Sequence, residues 1–476
     1  MVGKLEYIFS KKDKGKLFVL LAAIIFGSFL ELLGVTIFMP FINIIMEQDT
    51  IRENRWLRFF YDILNFQSVT AFLAALAGVI IFIYLFKNVY LALEKNAIYK
   101  FSYDVQRRLS SRLLSAYMHE PYTFHLNKNV AELQRSMQED TDMFAKAMIH
   151  IMEMLAEICV CIAIGIYLFI VSQSITTVVV LLLVTCLLVF FRISKNFSRD
   201  LGKKSQVYKG NIYKWMNQGL GGIKEIKVLN RESFFVDSYD IYFKKYARGL
   251  RISSLIRILP KYAIETVSMT GMLLAVIIKL YAGQKDIVEF IPQLAVFAVA
   301  AFRLMPSVGR INEHMANIQY ANPSINLIYH DLKEVEEVMA ERKEAEGEWK
   351  FEKELQVRKV SYHYPDAEEN VLTDVSFDIQ KGSSVAFVGP SGAGKTTMVD
   401  IILGLLMPQY GKITADGLDV RKNISLWQKE IGYIPQTIYL SDDTIKNNIA
   451  FGILEEEIDE EAVREAIRKA QLFDFV

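Results

Sequence analysis

Through its first two thirds the chain alternates long apolar runs with long charged runs, and then it changes character. Leu17 to Met46 carries a single charge, Glu31, while Val69 to Phe86 and Ile175 to Phe191 carry none. An apolar helix needs about 20 residues to cross a bilayer, and these runs approach or exceed that length. Ala147 to Val171, Tyr262 to Ala282 and Ile287 to Phe302 add further candidates with only a few charged positions. The pattern predicts six membrane-spanning helices, because a soluble helical core rarely keeps charge out of stretches this long.

The connections are unequal. From Lys87 to Lys146 and again from Arg192 to Lys261 the sequence stays helical in pattern but becomes charged. Two long hairpins projecting from one side of the membrane are expected, each broken at its tip. One break is His119-Glu120-Pro121-Tyr122 and the other Gly219-Leu220-Gly221-Gly222. On the opposite side the linkers are short except at 51–67. There Trp56, Phe59, Phe60, Ile63 and Leu64 recur at helical spacing, with Arg52, Arg55, Arg58 and Asp62 at other positions. A helix of this kind lies in the membrane interface, either handling lipid or merely covering the hairpin.

Lys4, Lys11, Lys12, Lys14 and Lys16 precede the first run, which places the amino terminus in the cytoplasm. Six crossings return the chain to the same side, so both termini are expected to be cytoplasmic and the protein multi-pass in the cytoplasmic (inner) membrane. The first apolar run is too long for a signal peptide and lacks a small-residue cleavage site. Cys159, Cys161 and Cys186 all fall in apolar runs and read as packing residues rather than disulfide or metal chemistry. Hydrophobic residues make up 52% of the chain, and the formal net charge of zero carries no nucleic-acid signal.

Beyond Trp349 the pattern switches to short strands, at Leu355 to Val360, Val375 to Ile379, Ser384 to Val388 and Gly411 to Ala415. The expected division is a helical membrane domain at 1–335, a linker at 336–349 and an α/β domain at 350–476. Residues 389 to 397 read G-P-S-G-A-G-K-T-T. Gly389, Gly394, Lys395 and Thr396 fit G-x-x-x-x-G-K-[ST], in which glycines let backbone N–H groups approach phosphate oxygens. Ser391, Gly392 and Thr397 belong to the same cradle. Lys395 would reach the terminal phosphates, Thr396 would place its hydroxyl on Mg²⁺, and the helix that follows aims its positive end at the nucleotide. ATP and Mg²⁺ are the cofactors this loop calls for.

A six-helix membrane domain with long hairpins, followed by an α/β P-loop domain, resembles the ABC exporter family along the whole chain. Val360-Ser361-Tyr362-His363-Tyr364-Pro365 is similar to the family segment whose aromatic stacks on adenine, and Tyr364 holds that position. Gly432-Tyr433-Ile434-Pro435-Gln436 is similar to the Q-loop, which implies that Gln436 touches Mg²⁺ and the attacking water, with Lys395 the other catalytic group. Met39-Pro40-Phe41, Gly222 to Lys227, Arg303-Leu304-Met305-Pro306-Ser307 and Val399 to Leu406 resemble the lipid-linked oligosaccharide flippases. Members of that subgroup move polyprenyl-pyrophosphate oligosaccharides across the cytoplasmic membrane and carry an external helix where 51–67 lies.

Charge inside a bilayer is expensive and usually functional. Lys87, Lys261 and Arg303 sit near the limits of three apolar runs, where they either snorkel to the interface or line a cavity for an anionic head group. Glu31 and Glu265 are candidate counter-charges or packing residues.

The resemblance also implies roughly a hundred further residues bearing the L-S-G-G-Q signature, Walker B, the catalytic Glu and the switch His. None occurs here; Asp459, Glu460 and Glu461 follow no apolar strand and read as the first turn of a helix. The chain as given is therefore read as carboxy-terminally incomplete, expected to bind ATP weakly at most and not to hydrolyse it. The family works as dimers, which implies a homodimer whose closure passes through the hairpin tips near Tyr122 and Gly221. Two other readings remain: an exporter of peptides or hydrophobic small molecules, and a non-hydrolysing ATP-binding membrane protein.

Overall fold

A computed structural model describes residues 2–37, 55–63, 68–171, 173–281, 287–341, 349–365, 367–436 and 438–475, with 41, 44, 66 and 347. The chain divides into two compact units, Met1–Arg342 and Lys343–Val476.

Among its described residues the first unit forms helices and no strand. A short α1 (Val2–Ile8) leads into α2 (Lys11–Thr36), and α3 (Arg55–Ile63) precedes α4 (Val69–His119). Two short helices, α5 (Tyr122–Asn127) and α6 (Val130–Arg135), and a π-helical turn at Ser136–Asp140 join α4 to α7 (Thr141–Val171). Then come α8 (Gln173–Gly221), α9 (Ile223–Leu229), α10 (Glu232–Tyr281) and α11 (Ile287–Glu341). Each of the six apolar runs thus lies largely on its own long helix. Within the described residues, Lys11–Gly34, Val69–His119 and Val130–Ile170 contain stretches long and apolar enough to cross a membrane, with mean hydropathies of 2.4, 2.6 and 2.2.

Burial along α4 runs opposite to that of a water-soluble helix. In its apolar part Val79, Ile81, Phe82, Leu85 and Phe86 are exposed, as expected for side chains that face lipid tails. In its charged part Ile98, Phe101, Val105, Leu109 and Leu113 are buried at helical spacing, with Ala116 and Tyr117 completing the stripe. That stripe packs on Ile24 of α2, Phe144 and Met148 of α7, and Ile325 and Ile328 of α11. The principal core therefore lies in the charged half of the bundle, where a hydrophobic driving force exists.

The hairpin tips break where sequence expects. Pro121 lacks the N–H to continue α4 and stands at the amino-terminal cap of α5, and α8 ends at Gly221, with Gly222 at the amino-terminal cap of α9. In α3, Tyr61 turns toward the start of α4, its ring 5.3 Å from that of Phe72 and perpendicular within 20° at 70°. Phe59 and Ile63 of the expected apolar stripe are exposed. The side chains of Trp56, Phe60 and Leu64 lie outside the described residues, as do Met39 and Pro40.

The second unit is built on an antiparallel sheet in the order β2-β1-β3-β4: β1 (Glu354–Tyr362), β2 (Leu372–Gln380), β3 (Tyr410–Ala415) and β4 (Leu418–Asp419). Register sets Val357 between Phe377 of β2 and Ile413 of β3. One face of β1 buries Leu355, Val357, Val360 and Tyr362 against Met398 and Ile401 of α12 (Lys395–Ile402), together with Leu406. Trp427 of α13 (Ile424–Lys429) closes this core and donates its indole N–H to the Ile402 carbonyl at 2.6 Å. The shorter α14 (Ile445–Ile449) and α15 (Glu460–Lys469) follow. Asp459 caps α15, accepting from the backbone N–H groups of Glu461 and Ala462, so the acidic run is a helix start.

One expected strand is not present. Ser384 to Val388 has no ladder, with Val385 half exposed and Val388 91% exposed. No described strand lies beside it to pair its backbone, and an apolar segment without partners gains nothing from strand geometry. Only Phe387 is anchored, 5.6 Å from Phe377.

Candidate functional site

The phosphate loop lies between β2 and α12. Gly394 caps α12 at φ 81°, and a Cβ there would meet Leu372 Cδ2 at 2.8 Å and the Val371 carbonyl at 3.1 Å, so only glycine fits. Gly392 is also left-handed, at φ 83°. Gly389, Ser391, Gly392 and Thr396 are exposed, leaving the loop open to a ligand. The Lys395 ammonium folds back over this loop, 2.8 Å from the Gly389 carbonyl and 2.7 Å from that of Pro390. That geometry places a cation at the mouth of the glycine turn, beside the first free N–H groups of α12. An exposed glycine cradle, an ammonium and the Thr396 hydroxyl form a donor set that suits a magnesium nucleotide polyphosphate.

Two other expected residues take definite positions. Tyr364 sets its ring edge against Tyr362, centroids 5.2 Å apart, and its hydroxyl lies 3.2 Å from Thr397 Oγ1. The aromatic is thus tied to the helix that carries the loop, while Thr397 is buried with its hydroxyl toward Tyr364. Gln436 is exposed in a bend, and no hydrogen bond joins it to Lys395 or Thr396 among the described residues.

Of the three candidate cations in the membrane unit, Lys87 and Lys261 have described side chains. Lys87 lies over the Tyr84 ring at 4.7 Å, its stem 3.3 Å from where a Cβ on Gly34 of α2 would stand. The side chain of Arg303 lies outside the described residues. Lys261 is exposed and lines a cleft of about 370 Å³ with Arg257, Arg310 and one acid, Glu313. Arg310 forms a fork with Glu157, at 2.5 and 3.0 Å. Arg257 bonds Asn317 and Ser254, each at 2.7 Å. Lys261 has no ion-pair partner among the described residues.

Sequence reading missed Arg257 and Arg310. The signal was available: Arg257 stands four positions before Lys261, and Arg310 seven after Arg303, each one face of a helix. A search keyed to charge inside the apolar runs passes over cations one or two turns outside them.

Residues 17–290 match the family profile "ABC transporter transmembrane region", and residues 372–476 match "ABC transporter". Among curated relatives, the "ATP-dependent lipid A-core flippase" of Francisella novicida is 27% identical over 290 residues, 60% of this chain and 48% of that protein. The proteins of that name from Methylobacillus flagellatus and Pseudomonas savastanoi are 28% and 27% identical, over 58% and 61% of this chain and 46% and 47% of theirs. The chain spans about half the length of the curated relatives it matches. With a profile covering more than half its length and a P-loop domain behind six long helices, the chain belongs to the ABC transporter family, in the half-transporter arrangement of exporters.

Proposed function

We propose that this protein, as a homodimer in the cytoplasmic membrane, uses Mg²⁺-ATP to flip a lipid carrying an anionic head group, of the polyprenyl-pyrophosphate oligosaccharide class. The observation that carries the substrate class is the basic cleft at the start of the fifth apolar run. There Arg257 and Arg310 are held by neighbours while Lys261 is left for an external anion. A diphosphate is matched by clustered guanidinium and ammonium donors, whereas a neutral peptide gains little from them. The exposure of Phe59 and Ile63 on α3 supports lipid handling, because apolar side chains accessible at the surface of a short helix fit the membrane interface. Relatives named for lipid A-core flipping support a lipid substrate in general.

At the nucleotide, Lys395 and the loop N–H groups bind and orient the phosphates, Thr396 and Gln436 hold Mg²⁺, and Tyr364 carries the adenine. ATP supplies the driving force, and these groups supply position and charge.

The test is flipping of a fluorescent polyprenyl-pyrophosphate oligosaccharide in proteoliposomes carrying the full-length protein. ATP-dependent movement is expected, abolished in Lys395→Ala and reduced at least tenfold in Lys261→Ala. Undiminished transport after joint neutralisation of Lys87, Lys261 and Arg303 would instead favour an exporter of peptides or hydrophobic small molecules.

A further inference from the structure

Three metal-ligand side chains converge between α7 and α11, none of them used in the sites discussed above. His150 and Glu153 lie one turn apart on α7, and His314 faces them from α11. The Nδ1 atoms of the two histidines are 3.0 Å apart, a hydrogen bond in which one donates to the other and whose hydrogen a metal ion would replace. Glu153 Oε2 stands 4.0 Å from Nδ1 of His150 and 3.8 Å from Nδ1 of His314. A tetrahedral Zn²⁺ with bonds of about 2.0–2.1 Å holds its donors about 3.3 Å apart. Opening the histidine pair by a few tenths of an ångström, and drawing the carboxylate in by slightly more, brings all three donors onto one ion.

The surroundings prepare these ligands. Lys95 Nζ and the Tyr99 hydroxyl, both on α4, each reach Glu153 Oε1 at 3.4 Å, so the other oxygen is the one left toward the imidazoles. Metal sites characteristically orient a ligating carboxylate in this way. His314 is only 8% exposed, and Glu157 and Glu313 add negative potential around it. The nearest guanidinium groups are engaged elsewhere, Arg310 with Glu157 and Arg257 with Asn317. When each imidazole carries its hydrogen on Nε2, both Nδ1 lone pairs are free for a metal.

We infer that His150, Glu153 and His314 form a binding site for a transition-metal cation of the Zn²⁺ class, which fastens α7 to α11. Two imidazoles and one carboxylate favour Zn²⁺, Co²⁺, Ni²⁺ or Cu²⁺ over Mg²⁺ or Ca²⁺. Three protein ligands leave a fourth position for water.

The test uses the full chain purified in detergent without a histidine tag, titrated with Zn²⁺ by calorimetry and with Co²⁺ by visible absorption. One ion per chain is expected, with the intense bands of tetrahedral Co²⁺. His150→Ala and His314→Ala should each weaken binding at least about 100-fold, Glu153→Gln about tenfold or more, and His363→Ala not at all. Should the alanine variants fail to fold, His314→Cys decides: a thiolate on Co²⁺ adds a near-ultraviolet charge-transfer band, read as the difference from the wild-type protein, whose own Cys159, Cys161 and Cys186 set the background. Binding that survives intact in the His150→Ala/His314→Ala double variant would overturn the site. So would a His314→Cys protein without that band.

Discussion

Tyr117, near the end of α4, donates a hydrogen bond of 2.5 Å to the Asp331 carboxylate of α11, a partner 214 positions away. Ser136, in the π-helical turn before α7, lies 3.0 Å from the Tyr117 hydroxyl and donates to the same carboxylate at 3.2 Å. One acidic group thus joins three helical segments beyond the apolar runs. Next to it Asp140 accepts from Ser324 at 2.6 Å and Gln206 at 2.8 Å and pairs with Arg135 at 3.2 Å, which brings in α8. A π-helical turn carries one extra residue per turn, and here it turns both Ser136 and Asp140 inward to these partners.

Replacing Tyr117 with Phe keeps the ring in the core stripe and removes the donor. Asp331 is then left with Ser136 alone in a half-buried site, a loss worth about 1–3 kcal/mol by the usual cost of an unsatisfied polar group. Thermal denaturation in detergent, followed by circular dichroism, should show the lower midpoint. Combining Tyr117→Phe with Asp331→Asn should cost less than the two single changes summed, since both act on one bond. Strict additivity would show that the two residues are not coupled.

Burial holds the Asp331 carboxyl above its ordinary value of 3.8, and the hydrogen bonds from Tyr117 and Ser136 only partly pull it back. Below 3.8 the group is protonated in folded and unfolded chains alike, and its contribution is fully present. Between 3.8 and the raised value the unfolded chain has lost a proton that the folded chain keeps, so stability falls as pH rises, and the loss is complete above the raised value. Nearby Glu120 is also raised, by burial first and by Glu334 second, so the background titrates in the same direction. The stability of wild type minus that of Asp331→Asn isolates the first group. It should decline as pH rises from 3.8, and a difference independent of pH would refute the assignment.

Gly202 of α8 stands where its helix meets α11. A Cβ there would collide with the Tyr320 backbone carbonyl and approach Pro323 Cγ at 3.3 Å. Backbone cannot step aside as the tip of a side chain can, so Gly202→Ala should force the helices apart at about 1–3 kcal/mol. Gly221, with open space around it, is the control at which alanine should be tolerated. Equal midpoints for the two variants would mean that the crossing relaxes freely.

The alternation of apolar and charged runs predicted the six long helices, because a bilayer imposes length and composition together. The break at Pro121, the acidic start of α15 and the glycine loop were legible for a similar reason: each rests on the chemistry of a few adjacent residues. Ser384 to Val388 was misread because a strand needs neighbours, and pairing is not local. The link between Tyr117 and Asp331 and the meeting of His150 with His314 were invisible in sequence for the same reason. Helical spacing tells which face a residue occupies, but not which helix will lie against it.

At the phosphate loop, Lys395 and Tyr364 can be separated by experiment. Lys395→Ala removes a charge-assisted contact worth about 1.5–3 kcal/mol, which corresponds to nucleotide binding weaker by about 10- to 150-fold. Tyr364→Ala removes only an aromatic face, about 0.5–1.5 kcal/mol beyond the area it covers, so a loss of about threefold to tenfold is expected. Tyr364→Phe divides the residue's two attachments. It keeps the ring but breaks the contact with Thr397, so affinity for a fluorescent ATP analogue should persist while the second unit unfolds at a lower temperature. A Phe variant that binds as poorly as the Ala variant would mean that the hydroxyl, through Thr397 and α12, positions the loop, and that the ring does not carry the nucleotide.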